Sequence, residues 1–181
     1  MPILNHKFLN HEIQKDTEVL IIGTFNPDVL GNEAEFFYGR QRNYLWKLLP
    51  VAFGAQDLRG VSRFKKEEFM KEHKIDFVDL IQTVNVAAGH ENDYSDAYID
   101  SCMPALGSRW KNIESLINNQ QGTIRKVCFT RKTFSDIPNI THKINRIEEY
   151  CIARNIIFGY LISPARYYSN AKQIKWDAFF A

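Results

Sequence analysis

Residues 18–46, EVLIIGTFNPDVLGNEAEFFYGRQRNYLW, decide how the rest of the chain is read. Val19, Leu20, Ile21 and Ile22 are four apolar residues in a row, preceded by Lys15 and Asp16 and stopped by Gly23. Such a run, without alternation, fits a strand covered on both faces, as in parallel sheets. Gly23, Thr24, Phe25, Asn26 and Pro27 form a sharp turn at its C-terminal end. In open parallel sheets that edge is where ligands bind. An aromatic cluster follows, Phe36-Phe37-Tyr38, and then a polar, basic link, Arg40-Gln41-Arg42-Asn43. The link opens an amphipathic helix from Tyr44 to Phe53, with Asn43 as its N-cap. Pro50 inside that pattern implies a kink or an early stop.

Three more strands are expected, at Ile75–Ile81, Lys126–Thr130 and Ile156–Ile162. Between them lie helical patterns. Phe64–Lys74 places Phe64, Phe69 and Met70 near one face among charges. Ser108–Asn119 has Ser108 as a cap and Trp110, Ile113, Leu116 and Ile117 at helical spacing. Thr141–Arg154 turns Ile144, Ile147, Tyr150 and Cys151 inward. Lys172–Phe180 carries Ile174, Trp176 and Phe179. Residues 85–107 read as a long loop with a short helix around Ser95–Ser101, and a loop of that length is more often functional than idle. The polar lead-in has room for a short strand or arm around Lys7-Phe8-Leu9. Strands alternating with helices predict one α/β domain over residues 1–181: a three-layer α/β/α sandwich around a four-stranded, mainly parallel sheet.

At 181 residues the chain is long enough for a full three-layer core. A net charge of +2 permits nucleic-acid binding without arguing for it. Cys102, Cys128 and Cys151 show no paired spacing, which argues against a disulfide framework, a zinc site and a four-thiolate cluster. No metal or cofactor is expected. No apolar run approaches the roughly 20 residues of a membrane helix, and the first 15 residues lack a signal-peptide core. The expectation is a cytoplasmic monomer without membrane contact.

Three of the strands end in polar turns: Gly23–Pro27, Thr130-Arg131-Lys132 and Ser163-Pro164-Ala165-Arg166. In a parallel sheet these turns share one edge and can converge on one ligand. Arg40, Arg42, Arg131, Lys132 and Arg166 sit in or beside them. Local positive charge at one edge of a nearly neutral protein suits phosphate binding. Each candidate also has a plainer reading. Asn26 before Pro27 is a natural turn former, or an amide that holds a water. Phe37 and Tyr38 are core aromatics, or a platform for a base, at roughly 1–3 kcal/mol per stacked base.

Two families resemble the opening stretch. Nucleotidyltransferases that adenylylate pyridine nucleotides share a strand followed by G-[ST]-F-N-P, but they need a His-x-x-His pair soon after it. Here no histidine lies between Pro27 and His73. The uracil-DNA glycosylase superfamily resembles the chain over a longer span: strand, G-x-x-N-P turn, aromatic pair, then a basic link into an N-x-x-W helix. Tyr38 to Trp46 looks like the mismatch-specific and deoxyinosine-type branches, and Ser163-Pro164-Ala165 resembles the end of the second glycosylase motif. The resemblance implies a monofunctional glycosylase acting on DNA that excises uracil or hypoxanthine. Asn26 and Ser163 would be catalytic. Gly23, Thr24, Phe25, Phe37, Tyr38 and Thr130 would hold the base, and the five basic residues would hold phosphates. Thr130 stands where the family has a base-reading Asn, Asp28 replaces a glycine, and the usual polar residue before Ser163 is missing. A catalytically weak or inactive DNA-binding relative is the alternative, with a nucleotide-binding protein further behind.

Overall fold

A computed structural model describes residues 2–120 and 122–181. Its central strand is β2, Val19–Gly23, after the short β1, Ile3–Asn5. β2 pairs in parallel with β3, Ile75–Asp79, on one side and with β6, Lys126–Phe129, on the other. β6 pairs in parallel with β7, Ile157–Tyr160, giving the order β3-β2-β6-β7. The expected four-stranded parallel sheet is therefore present.

Alternation along β2 explains why neither face tolerates a polar residue. Leu20 and Ile22 face a core built with Ile113 and Ile117 of α4 (Ile113–Asn119) and Ile140, Ile144, Ile147 and Cys151 of α5 (Pro138–Ile152). Ile21 faces the other way. It meets Leu45, Trp46, Leu48 and Leu49 of α1 (Leu45–Ala52), Phe69 and Met70 of α2 (Arg63–Glu72), and Trp176 of α6 (Asn170–Phe180). Two helical layers enclose the sheet. Pro50 is tolerated in α1 because the carbonyl it would leave free, that of Trp46, accepts the Leu58 N–H at 2.7 Å.

Several expectations need correction. Ile75–Ile81 is not one strand. The chain leaves the parallel sheet after Asp79, pivots at the fully buried Leu80, and continues as β4, Ile81–Asn85, in a second sheet. There β4 pairs antiparallel with β1 and with β5, Arg109–Trp110. The switch follows composition: β3 is buried throughout, whereas β4 carries half-exposed Gln82, Thr83 and Asn85 beside buried Ile81 and Val84. Ser108 does not cap a helix. Its Oγ accepts the Asn85 N–H, and α4 starts later, capped by Asn112 Oδ1 at 3.0 Å from the Ser115 N–H. Phe64 and Ile174 are solvent-facing, at 64% and 65% exposure. Ile174 lies two residues before the buried Trp176, about 200° around the helix. The long loop holds α3, Asp96–Cys102, close to expectation.

Candidate functional site

In-register parallel pairing sets Gly23 beside Asp79, Ile22 beside Phe129, and Phe129 beside Tyr160. All four strands thus end at one edge. The turns beyond them enclose a cleft of about 200 Å³. The strand ends form its floor: Gly23, Asp79 and Thr130. Its walls are Thr24, Phe25 and Asn26, then Tyr38, Gly39, Arg40 and Asn43, then Ser163, Pro164 and Ala165, with Tyr94, Asp96 and Arg131 completing the rim.

Gly23 is required at the floor. A Cβ there would overlap the Asp79 carboxylate and stand 2.7 Å from the Tyr38 hydroxyl. Tyr38 reaches this position through a left-handed backbone, φ 55°. Neighbouring Phe37 keeps its carbonyl on the Trp46 indole N–H at 2.7 Å. Tyr38 therefore turns to the cleft while Phe37 turns into the core, 2% exposed and stacked on Phe77 at 5.9 Å. The expectation of Phe37 as a base platform is corrected on this ground. Burial first, and then the Asp79 charge, push the Tyr38 phenol well above its usual value. Its hydroxyl lies 3.0 Å from Thr130 Oγ1, which in turn reaches the Ile22 carbonyl at 3.4 Å. Thr130 gives its proton to that carbonyl, so Tyr38 donates to Thr130.

Asn26 is buried, and its amide is fixed by two donors. Asn32 Nδ2 at 2.8 Å and an Arg40 guanidinium nitrogen at 3.1 Å both reach Oδ1. The Nδ2 group remains as the donor available to the cleft. Asn32 also caps the loop by donating to the Pro27 carbonyl at 2.6 Å. The Arg40 guanidinium lies over the Tyr94 ring, 4.2 Å away. Burial lowers its basicity, partly offset by Tyr94 and Asp79.

The third wall is tied to the second. Tyr44 N–H donates to the Pro164 carbonyl at 2.9 Å, and Arg166 N–H to the Arg42 carbonyl at 2.8 Å. Beneath, the buried Lys172 ammonium holds the Ala165 and Tyr167 carbonyls at 3.0 and 2.9 Å. Ser163 Oγ accepts the Ala165 N–H at 3.3 Å within this turn.

Arg42 and Arg166 are exposed where these two loops join. Two other basic positions differ from expectation. Arg131 is occupied on three sides, by Asp96 at 2.6 Å, Asp136 at 2.5 Å and the Thr133 carbonyl at 2.6 Å. Its charge is neutralised within the protein instead of being offered to a phosphate. Lys132 is exposed but outside the cleft lining.

Asp79 and His6 join the site, and the sequence reading placed neither there. Phe8 N–H donates to His6 Nδ1 at 3.0 Å, so the ring proton sits on Nε2 and is donated to Asp79 Oδ2 at 2.6 Å. These residues are 73 apart in sequence and meet only because β1 crosses β4. No local signal could have paired them, although an acidic residue ending a strand at a ligand-binding edge marks Asp79 by itself. Among the described residues there is no group of three or more His, Cys, Asp or Glu able to hold a metal ion. Nor is there a helix long and apolar enough to cross a membrane.

No family model and no curated protein matches the sequence. Among solved structures, the chain is similar to the solution NMR structure of a candidate uracil DNA glycosylase from Methanosarcina acetivorans. The TM-score is 0.61 at 19% identity, over 93% of this chain and 91% of that one. At that identity the likeness speaks for architecture: the chain has a uracil-DNA-glycosylase-like α/β fold.

Proposed function

We propose that the protein is a monofunctional DNA glycosylase that hydrolyses the N-glycosidic bond of a deaminated or mismatched base such as uracil or hypoxanthine. One observation carries this reading: three strand-end turns meet in a single cleft, with Asn26, Tyr38 and Ser163 in its walls. The base, flipped from the stack, enters the cleft and lies against Tyr38. Arg40, Arg42 and Arg166 meet the flanking phosphates.

Departure of the base as an anion leaves an oxocarbenium-like sugar, so the attacking water needs placement more than deprotonation, and the proton it sheds on bonding to the sugar carbon neutralises the departed base. Asn26 supplies placement. With Oδ1 held by Asn32 and Arg40, Nδ2 donates to one lone pair of the water and leaves the other for the sugar carbon. The Ser163 hydroxyl donates to the base carbonyl on which negative charge develops.

The test is a panel of oligonucleotides containing uracil, hypoxanthine or a mismatch, scored for abasic-site formation. Wild type releases at least one base, and Asn26→Ala lowers the single-turnover rate on the order of 100-fold. No release from any substrate, or equal rates in the two proteins, refutes the proposal. A second reading, a DNA-binding relative without catalysis, is favoured by the occupied Asn26 Oδ1, which cannot accept a proton from water. Salt-dependent DNA binding without base release selects it.

A further inference from the structure

Asp79 takes no part in the hydrolysis outlined above, yet it occupies the floor of the cleft. The residue is 6% exposed. Oδ2 is committed to His6 Nε2 at 2.6 Å, and the backbone N–H of Phe8 keeps that imidazole from turning. Oδ1 lies over Gly23, at the point a side chain would otherwise fill. Among the described residues no protein donor reaches it. Oδ1 opens onto the cleft, so a ligand there can supply the donor that the protein does not. The adjacent hydroxyls do not serve, because Tyr38 donates to Thr130 and Thr130 to the Ile22 carbonyl. The floor therefore asks its ligand for an N–H.

We propose that Asp79 Oδ1 reads the edge of the everted base by accepting a hydrogen bond from a ring N–H. This deepens the glycosylase reading and rests on it. The chemistry separates damaged bases from their parents. Deamination of cytosine turns ring N3 from a bare lone pair into an N–H, and deamination of adenine does the same at N1. A carboxylate only accepts, so it attracts the deaminated edge and repels the lone pair of the parent. His6 sets the polarity. In Asp79→Asn the amide oxygen is drawn to the His6 N–H, and the NH2 group is left pointing into the cleft.

The test uses free bases and the whole protein, with binding followed by chemical-shift changes of cleft amides. Uracil is compared with 3-methyluracil and with cytosine, and hypoxanthine with 1-methylhypoxanthine and with adenine. In wild type, N-methylation or substitution by the parent base weakens binding about ten-fold or more. In Asp79→Asn that discrimination disappears or reverses toward cytosine and adenine. Equal wild-type binding of methylated and unmethylated bases overturns the inference. So does parent-base binding as tight as that of the deaminated base, the absence of any base binding, or discrimination that survives in Asp79→Asn. The methylated ligands keep the inference open to refutation even if the variant fails to fold, because they need only the wild-type protein. Abasic-site formation is scored separately. Base-selective binding without release would sink only the glycosylase reading, and release without N–H selectivity would sink only this one.

Discussion

Arg40 and Arg131 line the same cleft from opposite loops, and their surroundings differ. Arg40 rests on the neutral face of Tyr94 and touches the neutral amide of Asn26. Arg131 is gripped by Asp96 and Asp136. Both lie in turns that follow parallel strands, and by composition both count as one positive charge. Of the two, only Arg40 brings to the cleft a charge that no carboxylate pairs directly. What a cation can offer a phosphate depends on which carboxylates fold beside it, and a sequence tally of basic residues does not contain that information.

The largest effect should come from the floor on which both loops converge. Gly23→Ala inserts a methyl group where the Asp79 carboxylate and the Tyr38 hydroxyl already stand. The strand end cannot give way easily, because Gly23 is held in register with Asp79 and its carbonyl accepts the Leu80 N–H at 2.9 Å. Base release should fall on the order of 100-fold, the usual cost of displacing cleft groups by about 1 Å. Thermal stability should fall by about 1–3 kcal/mol, the range for overpacking. Single-turnover kinetics and a melting curve check both. A variant with unchanged release would mean that ligands never reach the floor.

Next in size is Arg40→Ala. Removing this charge should weaken DNA binding about ten-fold and lower the slope of log affinity against log salt by about one. Release per bound complex should also drop, because Asn26 loses one of the two donors that fix its amide. Fluorescence anisotropy at several salt concentrations measures the first effect and rates at saturating enzyme the second. An unaltered salt slope would remove Arg40 from the phosphate contacts and leave it as a brace for Asn26.

The same contrast explains what could be read from the residues beforehand. The β2 run and the turns after β2, β6 and β7 were legible because unbroken apolar runs and Gly or Pro stops are local signals. They fixed the sheet edge and brought Asn26, Tyr38, Thr130 and Ser163 into one cleft. Side-chain direction was not legible. Phe37 and Tyr38 are adjacent aromatics, and only the left-handed backbone at Tyr38 sends one inward and the other to the cleft. The break at Leu80 was hidden because an apolar residue continues the pattern across it. Asp79 with His6 and Arg131 with Asp96 are separated by 73 and 35 residues; the first pair depends on a second sheet that periodicity did not resolve, and the second on where the expected α3 docks.

The smallest expected effect is the sharpest check on the comparison. Arg131→Gln combined with Asp136→Asn removes one charge of each sign. Asp96 stays in the first turn of α3, whose N-terminal amides favour a carboxylate. Local charge is conserved, so if Arg131 only balances its neighbours, DNA affinity and salt slope should match wild type within about two-fold, as for a charge-conserving surface change. If Arg131 instead leaves its carboxylates to meet a phosphate, the slope should drop by about one, as for Arg40→Ala. Equality of the two variants would erase the distinction between the loops. A null result here beside a clear loss at Arg40 would place the phosphate path along the Arg40, Arg42 and Arg166 side of the cleft, where the second and third walls are joined through their backbones.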